Sequence, residues 1–202
     1  MITPKAEITL ERKPGTYRVY QDEFNVTDVL AAQSWGQVSA HLDIINRYKV
    51  KLFIELGTYM GGLVTHIIPN IILDDSFHYL GYEIVPTIVH PKIKRFSFQN
   101  PRCQIVLDNM FTSNNQEYIR NRIKDAPGTV YVFCDGGNKP KELLTFSTFL
   151  RKGDIISVHD YTDDQTGEIR DTDLAKMSKD FEYLDEWWRK DVIWLPTFIK
   201  IR

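Results

Sequence analysis

Acidic residues recur at one kind of place in this sequence, at the end of a short apolar run. Carboxylates accept hydrogen bonds from hydroxyl and amino groups, and histidine exchanges protons near neutral pH. An acid at one such position would be unremarkable, whereas an acid or a histidine after all five runs indicates a shared binding crevice. The residues are Glu55, Glu83, Asp108, Asp135 and the pair His159-Asp160.

The apolar runs that carry these residues are predicted to be strands of a parallel sheet, because their composition is typical of strands buried on both faces. They cover 51–54, 77–83, 104–107, 129–134 and 154–158. Apolar residues at helical spacing predict helices near 28–48, 62–71, 113–126, 140–152 and 171–190. Ser113 and Gln116 fit a capping box, and closing strands are predicted at 192–195 and 197–201 around Pro196. This alternation predicts an α/β fold.

The stretch Glu55-Leu56-Gly57-Thr58-Tyr59-Met60-Gly61-Gly62 joins the first predicted strand to a helix. Its glycines allow a sharp turn and let a ligand approach the backbone closely. The helix that follows directs its free N–H groups back into the turn. A turn of this kind is suited to a nucleoside cofactor.

Glu83 and Asp108 are the candidates for contacts with a nucleoside. An acid at the end of the second strand can accept hydrogen bonds from both ribose hydroxyls, and the alternative for Glu83 is a solvated side chain. Asp108 could bind the amino group of adenine, or it could terminate its strand by bonding the local backbone. Gln33 and Trp35 could line a ligand mouth, although core packing is the favoured interpretation.

Length and composition predict one globular domain over 28–202, preceded by an N-terminal arm over 1–27. The 202 residues are 43% hydrophobic, which is enough for one substantial core. A formal net charge of −2 provides no basic surface for a phosphate backbone, so no nucleic-acid partner is expected. No signal peptide or membrane span of roughly 20 apolar residues is present, so we expect a cytoplasmic protein with no membrane partner. A homo-oligomer is left open.

Five landmarks in this order resemble the class I S-adenosylmethionine-dependent methyltransferases. They are Glu-x-Gly-x-x-x-Gly over 55–61, the acid at 83, Asp108, Asp135-Gly136 and the segment from Gly153-Asp154 to His159-Asp160-Tyr161. The resemblance covers roughly residues 30–165. It is greatest to the small-molecule branch with the cephalosporin-hydroxylase-like proteins and, more remotely, the catechol and caffeoyl-coenzyme A O-methyltransferases. It implies a Rossmann-like methyltransferase fold with a mostly parallel central sheet, an antiparallel closing strand and helices on both faces.

The resemblance implies S-adenosyl-L-methionine as cofactor and a small molecule as methyl acceptor, with a hydroxyl oxygen as the favoured position. The glycine turn would shape the pocket for the methionine part of the cofactor. Glu83 would hold the ribose, and Asp108 with Asn109 would flank the adenine. The cofactor-binding residues implied are Glu55, Gly57, Thr58, Tyr59, Gly61, Glu83, Asp108, Asn109 and Asp135.

The resemblance also implies a divalent metal beside the acceptor, with Asp135, His159 and Asp160 where metal-dependent relatives carry their ligands. Mg²⁺ prefers oxygen ligands, whereas an imidazole favours manganese, zinc or iron. Catechol-type relatives end this strand in Asp-Asn, so the second ligand position differs in type here.

A methyltransferase acting on a hydroxyl needs a base, and two residues are candidates. His159 has an ordinary pKa of about 6.5 and could accept a proton near neutral pH, or it could simply bond a neighbouring loop. Lys139 corresponds to the lysine that follows the metal-binding aspartate in catechol-type enzymes, displaced by one residue. Its alternative is a solvated residue at the start of a helix.

Three other functions share part of the pattern. An NAD-dependent oxidoreductase would also have the acid after the second strand, but the turn at Gly57 lacks the G-x-G-x-x-G spacing. A nucleoside-cofactor-binding protein without catalysis would bind S-adenosylmethionine and convert no acceptor. A nucleic-acid methyltransferase acting on base amino groups would carry Asn-Pro-Pro-Tyr or Asp-Pro-Pro-Tyr after the fourth strand, where this chain has Asp135-Gly136-Gly137-Asn138.

Overall fold

The computed structural model describes residues 6–9, 18–21, 29, 33, 35–161, 168–184 and 195–202. Within the segment predicted as an N-terminal arm, β1 (Ala6–Thr9) and β2 (Arg18–Gln21) pair antiparallel. The rest of that arm lies outside the described residues. The arm therefore contains a short two-stranded sheet, which its sequence did not predict.

A seven-stranded sheet forms the centre of the fold. Its strands are β3 (Leu52–Leu56), β4 (His78–Tyr82), β5 (Cys103–Val106), β6 (Val130–Cys134), β7 (Ile155–Val158), β8 (Phe181–Tyr183) and β9 (Thr197–Lys200). Across the sheet their order is β5-β4-β3-β6-β7-β9-β8. Strands β3 to β7 are parallel to one another, and β9 is antiparallel to both β7 and β8. The predicted mostly parallel sheet with an antiparallel closing strand is confirmed.

Helices alternate with these strands along the chain. In the described ranges they are α1 (Trp35–Arg47), α2 (Gly62–Leu73), α3 (Pro91–Gln99), α4 (Ser113–Asp125), α5 (Lys139–Phe146) and α6 (Asp171–Leu174). A 3-10 turn at Ser147–Phe149 follows α5. No helix in these ranges has the length and apolar composition needed to cross a membrane.

The helices cover both faces of the sheet, because successive side chains of a strand point to opposite faces. On β3, Phe53 packs in the core beneath α1, α2 and α3, whereas Ile54 packs in the core against α4 and α5. Every residue of β3 and β6 is buried. Full burial of one such apolar side chain contributes about 1.5–3 kcal/mol, so the two central strands form a stable framework for the residues at their ends.

The strand order reverses at β3, with β4 and β5 on one side and β6 and β7 on the other. Ligands of open α/β sheets bind at the carboxyl ends of the strands beside such a reversal. The last residues of β3, β6 and β7 lie opposite one another in the ladder. The residues that follow these strands, Gly57, Asp135 and His159, therefore emerge side by side.

The first helix is shorter than the 28–48 predicted. Val29 and Gln33 are not helical, and α1 begins only at Trp35, while residues 30–32 and 34 lie outside the described part. Gln33 lies in a bend, where its side chain bonds Asp135 and His41 across the core. These long-range hydrogen bonds place Gln33 outside the regular helix.

The prediction of a helix over 171–190 is wrong. Helix α6 ends at Leu174, and Phe181–Tyr183 forms β8, which pairs with β9 through Glu182 and Ile199. The ring of Tyr183 packs on that of Phe198 at 5.2 Å, so pairing at the sheet edge outweighs the helical period of the sequence. Residues 185–190 and the predicted strand positions 192–194 lie outside the described residues.

Helix ends differ from the predictions by small amounts. The cap of α4 is Thr112 and not Ser113, because the Thr112 hydroxyl accepts a bond from the Asn115 N–H at 3.3 Å. Gln116 instead donates to the Phe111 carbonyl at 2.9 Å. Helix α5 ends at Phe146 and the 3-10 turn continues it, whereas the prediction extended the helix to about 152.

Candidate active site

Asp135, His159 and Asp160 form one cluster at the ends of β6 and β7. The Asp135 N–H donates to the Leu56 carbonyl at 2.8 Å, and the His159 N–H donates to the Cys134 carbonyl at 3.0 Å, which extends the sheet ladder into the site. Nδ1 of His159 lies 3.0 Å from Oδ1 of Asp135 and 3.0 Å from Oδ1 of Asp160. The three side chains place one ligand atom each within 4.8 Å of one another, which suits a divalent cation. The backbone of Asp160 has φ 57°, an uncommon conformation for a residue with a Cβ.

Lys139 enters this cluster from the first turn of α5. Its Nζ lies 3.0 Å from Oδ2 of Asp160, 3.8 Å from Oδ1 of Asp135 and 2.7 Å from Oε2 of Glu168. It also donates to the Gly136 carbonyl at 3.1 Å, and its side chain is 5% exposed. The interpretation of Lys139 as a solvated residue is therefore wrong, because three carboxylates and a carbonyl enclose its ammonium group.

The charges of the cluster stabilise one another. Burial lowers the pKa of His159, but the charge of Asp135 and the hydrogen bonds of both aspartates outweigh it and raise that pKa to about 9. Burial likewise lowers the pKa of Lys139, but Glu168, Asp135 and Asp160 raise it above its ordinary value. Burial raises the pKa of Asp160, yet His159 and Lys139 bring it down to about 2. These directions favour protonated His159 and Lys139 beside an ionised Asp160 at neutral pH.

Glu142 holds the loop that presents Asp135 and Lys139. Its fully buried carboxylate accepts bonds from the Gly136 N–H at 3.0 Å and the Asn138 N–H at 3.1 Å. Burial raises the pKa of Glu142 to about 7, against the lowering effect of these two N–H groups. Asn138 in turn caps α5 by accepting from the Lys141 N–H at 3.2 Å. The loop between β6 and α5 is therefore fixed at two points.

The glycine turn after β3 is held to β4. Both Gly57 and Thr58 donate their N–H groups to the Tyr82 carbonyl at 2.9 Å. Gly57 has φ 97°, and a Cβ there would collide with the carbonyl oxygen of Asp135, so only glycine fits this position. Gly61, with φ 88°, is the N-terminal cap of α2, and a Cβ there would collide with the side chain of Ile93. The turn thus lies in direct backbone contact with the Asp135 loop.

Glu83 connects the ends of β3 and β4. Its Oε2 accepts from the Tyr59 N–H at 2.8 Å and its Oε1 from the Val85 N–H at 2.9 Å. Each carboxylate oxygen keeps a second lone pair, so the oriented side chain can still accept bonds from ribose hydroxyls. Because it is only 8% exposed, the interpretation of Glu83 as a freely solvated acid is wrong.

Glu55 is buried behind the turn. It accepts a hydrogen bond from the Tyr79 hydroxyl, and burial raises the pKa of its carboxyl well above the ordinary range. It lines a small cavity of about 10 Å³, which holds at most one water molecule. Gln33, Glu55, Gly57, Thr58, Tyr59, Gly62, Leu63 and Asp135 line that cavity. The methionine part of a cofactor needs more room than this, so the lining side chains would have to shift before it could bind.

Asp108 and Asn109 lie apart from this cluster, since β4 and β3 separate β5 from β6. Asp108 accepts from the Asn109 N–H at 2.7 Å and from the Asn115 side chain at 2.9 Å. Asn109 accepts from the Phe111 N–H at 2.9 Å. Strand termination by local bonding is thus present in the structure, and Asp108 remains exposed beside the predicted adenine position.

Gln33, just before α1, and Gln37, on α1, contact the cluster directly, and His41 on α1 contacts Gln33. The sequence favours core packing for Gln33, and Gln37 and His41 are not among the predicted site residues. Their spacing of four residues was the available signal, because it places them on one side of a helix. Glu168, the partner of Lys139, carried no comparable signal.

No protein-family model matches this chain, and no curated protein matches its sequence. Solved structures do match. Apo CmcI aligns with a TM-score of 0.67 at 12% identity, over 96% of this chain and 82% of its own. A candidate caffeoyl-CoA O-methyltransferase from Staphylococcus aureus aligns with a TM-score of 0.56 at 14% identity, over 83% and 84%. CmcI with Mg and SAM aligns with a TM-score of 0.51 at 12% identity, over 75% of this chain and 62% of its own.

Counted from β3, the sheet order is 3-2-1-4-5-7-6 with the seventh strand antiparallel. The chain has the class I methyltransferase fold. In this methyltransferase fold the glycine turn follows the first strand of the sheet, and Asp135 follows the fourth. The predicted fold class is confirmed, whereas identities of 12–14% carry no information on the acceptor.

Proposed function

We propose that the chain is an S-adenosylmethionine-dependent methyltransferase that acts on a hydroxyl oxygen of a small molecule. One observation carries the proposal: in a methyltransferase fold, the glycine turn at Gly57 lies against Asp135, and Asp135 belongs to a cluster of acids and protonated bases. A cofactor seated on the turn would bring its methyl group next to that cluster. Groups that can orient and deprotonate an acceptor are therefore adjacent to the cofactor position.

The residues around the turn have the chemistry to hold the cofactor. Glu55, Gly57, Thr58, Tyr59 and Gly61 would surround the methionine part, with Asp135 at its far side. Of the two acids that line the cavity, the Asp135 carboxylate can attract the sulfonium and ammonium groups, whereas the raised pKa of Glu55 favours its neutral form. Glu83 would accept the ribose hydroxyls, and Asp108 with Asn109 would flank the adenine.

Asp135, His159 and Asp160 would hold a divalent metal beside the acceptor. Two carboxylates and an imidazole converge well enough for one ion, and this mixed oxygen and nitrogen set suits manganese, zinc or iron better than magnesium. The Nδ1 atom of His159 would have to lose its proton to become a ligand. Lys139 already balances part of the carboxylate charge, so the metal would compete with internal cations.

The cofactor, when bound, supplies the electrophilic methyl group. The remaining task of the protein is to align the acceptor oxygen and to accept its proton. His159 is the better candidate base when no metal occupies its Nδ1, because its pKa of about 9 lies below that of Lys139, which three carboxylates keep protonated. The acceptor hydroxyl would then have to take the place of one aspartate oxygen beside Nδ1, because Gln37 occupies the other ring nitrogen. A base of this strength is matched to a phenolic hydroxyl, whose pKa is about 10. We therefore propose phenols as the first acceptors to test.

Calorimetry with S-adenosylhomocysteine and with NADH tests the cofactor, and methyl transfer from labelled S-adenosylmethionine to phenols and alkyl alcohols tests the reaction. We expect micromolar binding of S-adenosylhomocysteine and transfer to a phenol. NADH binding alone would support an oxidoreductase instead. S-adenosylmethionine binding without turnover of any acceptor would support a nucleoside-binding protein. Full turnover in a chelator would remove the metal from the proposal.

A further inference from the structure

Helix α1 and the residue two positions before it present three buried polar side chains to the strands that carry the site. Gln33, just before the helix, and Gln37 and His41 within it are spaced four residues apart and are 4%, 5% and 0% exposed. Burial of polar groups is unfavourable unless they are hydrogen-bonded, so such a stripe needs partners. Each of the three finds its partner on β6, on β7 or at the residue directly after one of these strands.

Gln37 contacts the His159 ring on the side away from the acids. Its Nε2 lies 2.7 Å from Nε2 of His159, while Nδ1 of the ring faces Asp135 and Asp160. Both ring nitrogens therefore have a partner in a fixed direction. A glutamine amide can donate through its nitrogen or accept through its oxygen, so Gln37 can serve either state of the ring nitrogen beside it.

Gln33 holds Asp135 in one orientation, and His41 in turn holds Gln33. Gln33 donates to Oδ2 of Asp135 at 2.7 Å, which leaves Oδ1 to His159. Oε1 of Gln33 lies 3.2 Å from Nε2 of His41, and Nδ1 of His41 lies 2.8 Å from the Tyr131 hydroxyl. The Tyr131 hydroxyl continues to the Ser157 hydroxyl at 2.6 Å. The bonded chain thus ends on side chains inside β6 and β7, two fully buried strands of the sheet.

We propose that the stripe on α1 positions the candidate catalytic cluster: Gln37 holds the ring of His159 with Nδ1 toward the two aspartates, and Gln33 holds Asp135. Gln37 would act only through His159, whereas Gln33 holds Asp135 and also lines the cavity assigned to the methionine part of the cofactor. The positional part of the proposal stands on contacts within the chain. Only its consequence for turnover rests on the proposed function.

The arrangement also has a consequence for cation binding. A histidine that binds a cation through Nδ1 carries its proton on Nε2, and that N–H needs an acceptor. The amide oxygen of Gln37 can supply it after rotation of the amide. Partners of this kind typically change metal affinity 10–100-fold when they are removed.

The test compares Gln37→Met with Gln37→Glu in the full-length protein. Methionine keeps the length and volume of glutamine but cannot hydrogen-bond the ring, whereas glutamate can accept from Nε2–H. Gln116→Met is the matched control, since Gln116 is a bonded glutamine on α4, on the other face of the sheet. The readouts are the ring N–H proton resonance of His159, assigned with a His159→Asn variant, and Mn²⁺ affinity measured by electron paramagnetic resonance.

In the wild type and in Gln116→Met we expect a ring N–H resonance that is shielded from exchange with water. In Gln37→Met that resonance should move or exchange out, and Mn²⁺ affinity should fall about tenfold or more. Gln37→Glu should restore the resonance. Turnover should fall through kcat with little change in KM for the cofactor.

A ring resonance unchanged in Gln37→Met would overturn the proposal, because filling space would then be the only role of Gln37. Loss of the resonance in Gln37→Glu as well, with both variants folded, would also overturn the proposal. If the wild type binds no Mn²⁺, the ring resonance of His159 alone tests whether Gln37 positions the ring. Failure of the proposed function would appear separately, as absence of S-adenosylhomocysteine binding in the wild type with the ring resonance intact.

Discussion

The two halves of the site are built by different means. On the β3–β4 side, backbone conformation and backbone N–H groups shape the turn, through the positive φ of Gly57 and Gly61 and the N–H groups that bind Glu83. On the β6–β7 side, charged side chains bind one another, and Lys139 and His159 balance the acids. The first half should therefore be sensitive to side-chain volume at the glycines, and the second to charge and pH.

Gly57→Ala should have the largest effect. A Cβ at φ 97° adds strain of about 1–3 kcal/mol and collides with the Asp135 carbonyl, so both halves are displaced. We expect S-adenosylhomocysteine affinity to fall by a factor of about 100 or more, measured by calorimetry, together with a lower melting temperature. Gly137→Ala is the control, because a Cβ there meets nothing within 4 Å. Equal behaviour of the two variants would contradict the close contact between the halves.

Asp135→Asn should separate the halves by function. The variant removes the charge that faces His159 and Lys139 but preserves the shape of the side chain. We expect kcat to fall by a factor of about 10²–10³, because the base and the acceptor lose their orientation. S-adenosylhomocysteine affinity should change by less than a factor of about ten. A loss confined to cofactor affinity would assign Asp135 to the half of the site on the β3–β4 side.

The pH dependence should follow His159. Its base form is scarce below a pKa of about 9, so kcat/KM should rise about tenfold per pH unit and level off above pH 9. The same raised pKa stabilises the folded state below pH 6.5, and this contribution disappears as pH rises through 9. Initial rates and urea unfolding across this range provide the two measurements. A rate that is flat with pH would exclude His159 as the base.

Glu83→Gln should affect the cofactor half alone. The amide nitrogen would face one of the two N–H groups that the carboxylate now accepts, and a ribose partner would lose a charged acceptor. A charge-assisted hydrogen bond is worth about 1.5–3 kcal/mol, so affinity for S-adenosylhomocysteine should fall roughly 10–100-fold. The pH profile of kcat should stay that of the wild type. Unchanged affinity would show that the ribose assignment is wrong.

Glu142→Gln should give the smallest effect, about 1–2 kcal/mol of stability, since one N–H of the loop would lose its acceptor. The raised pKa of Glu142 should also affect how the stability of the wild type depends on pH. Between pH 4.5 and about 7 the unfolded carboxyl is ionised and the folded one keeps its proton, so wild-type stability declines as pH rises through this window. That decline should be absent in the variant. Chemical unfolding at pH 5 and pH 7 checks both expectations.

The sequence was sufficient to predict the sheet, because β3, β4, β6 and β7 are short apolar runs with helical spacing between them. It was also sufficient for the glycine turn, which depends on local backbone conformation. The edge strand β8 was not predicted, since its pairing with β9 is a property of the folded sheet. The contacts of Gln33, Gln37 and Lys139 depend on residues about 30 to 120 positions away, which no local pattern contains.

One further consequence comes from the isolated parallel bridge between Tyr161 and Ile169. The Ile169 N–H donates to the Asp160 carbonyl at 3.4 Å, so the two ends of the intervening segment are fastened beside the cluster. The entropy of closing a chain segment grows slowly, by about 0.6 kcal/mol for each doubling of its length. Lengthening the chain between Tyr161 and Glu168 should therefore cost little stability, because the bridge and the Glu168–Lys139 ion pair involve residues outside the inserted positions.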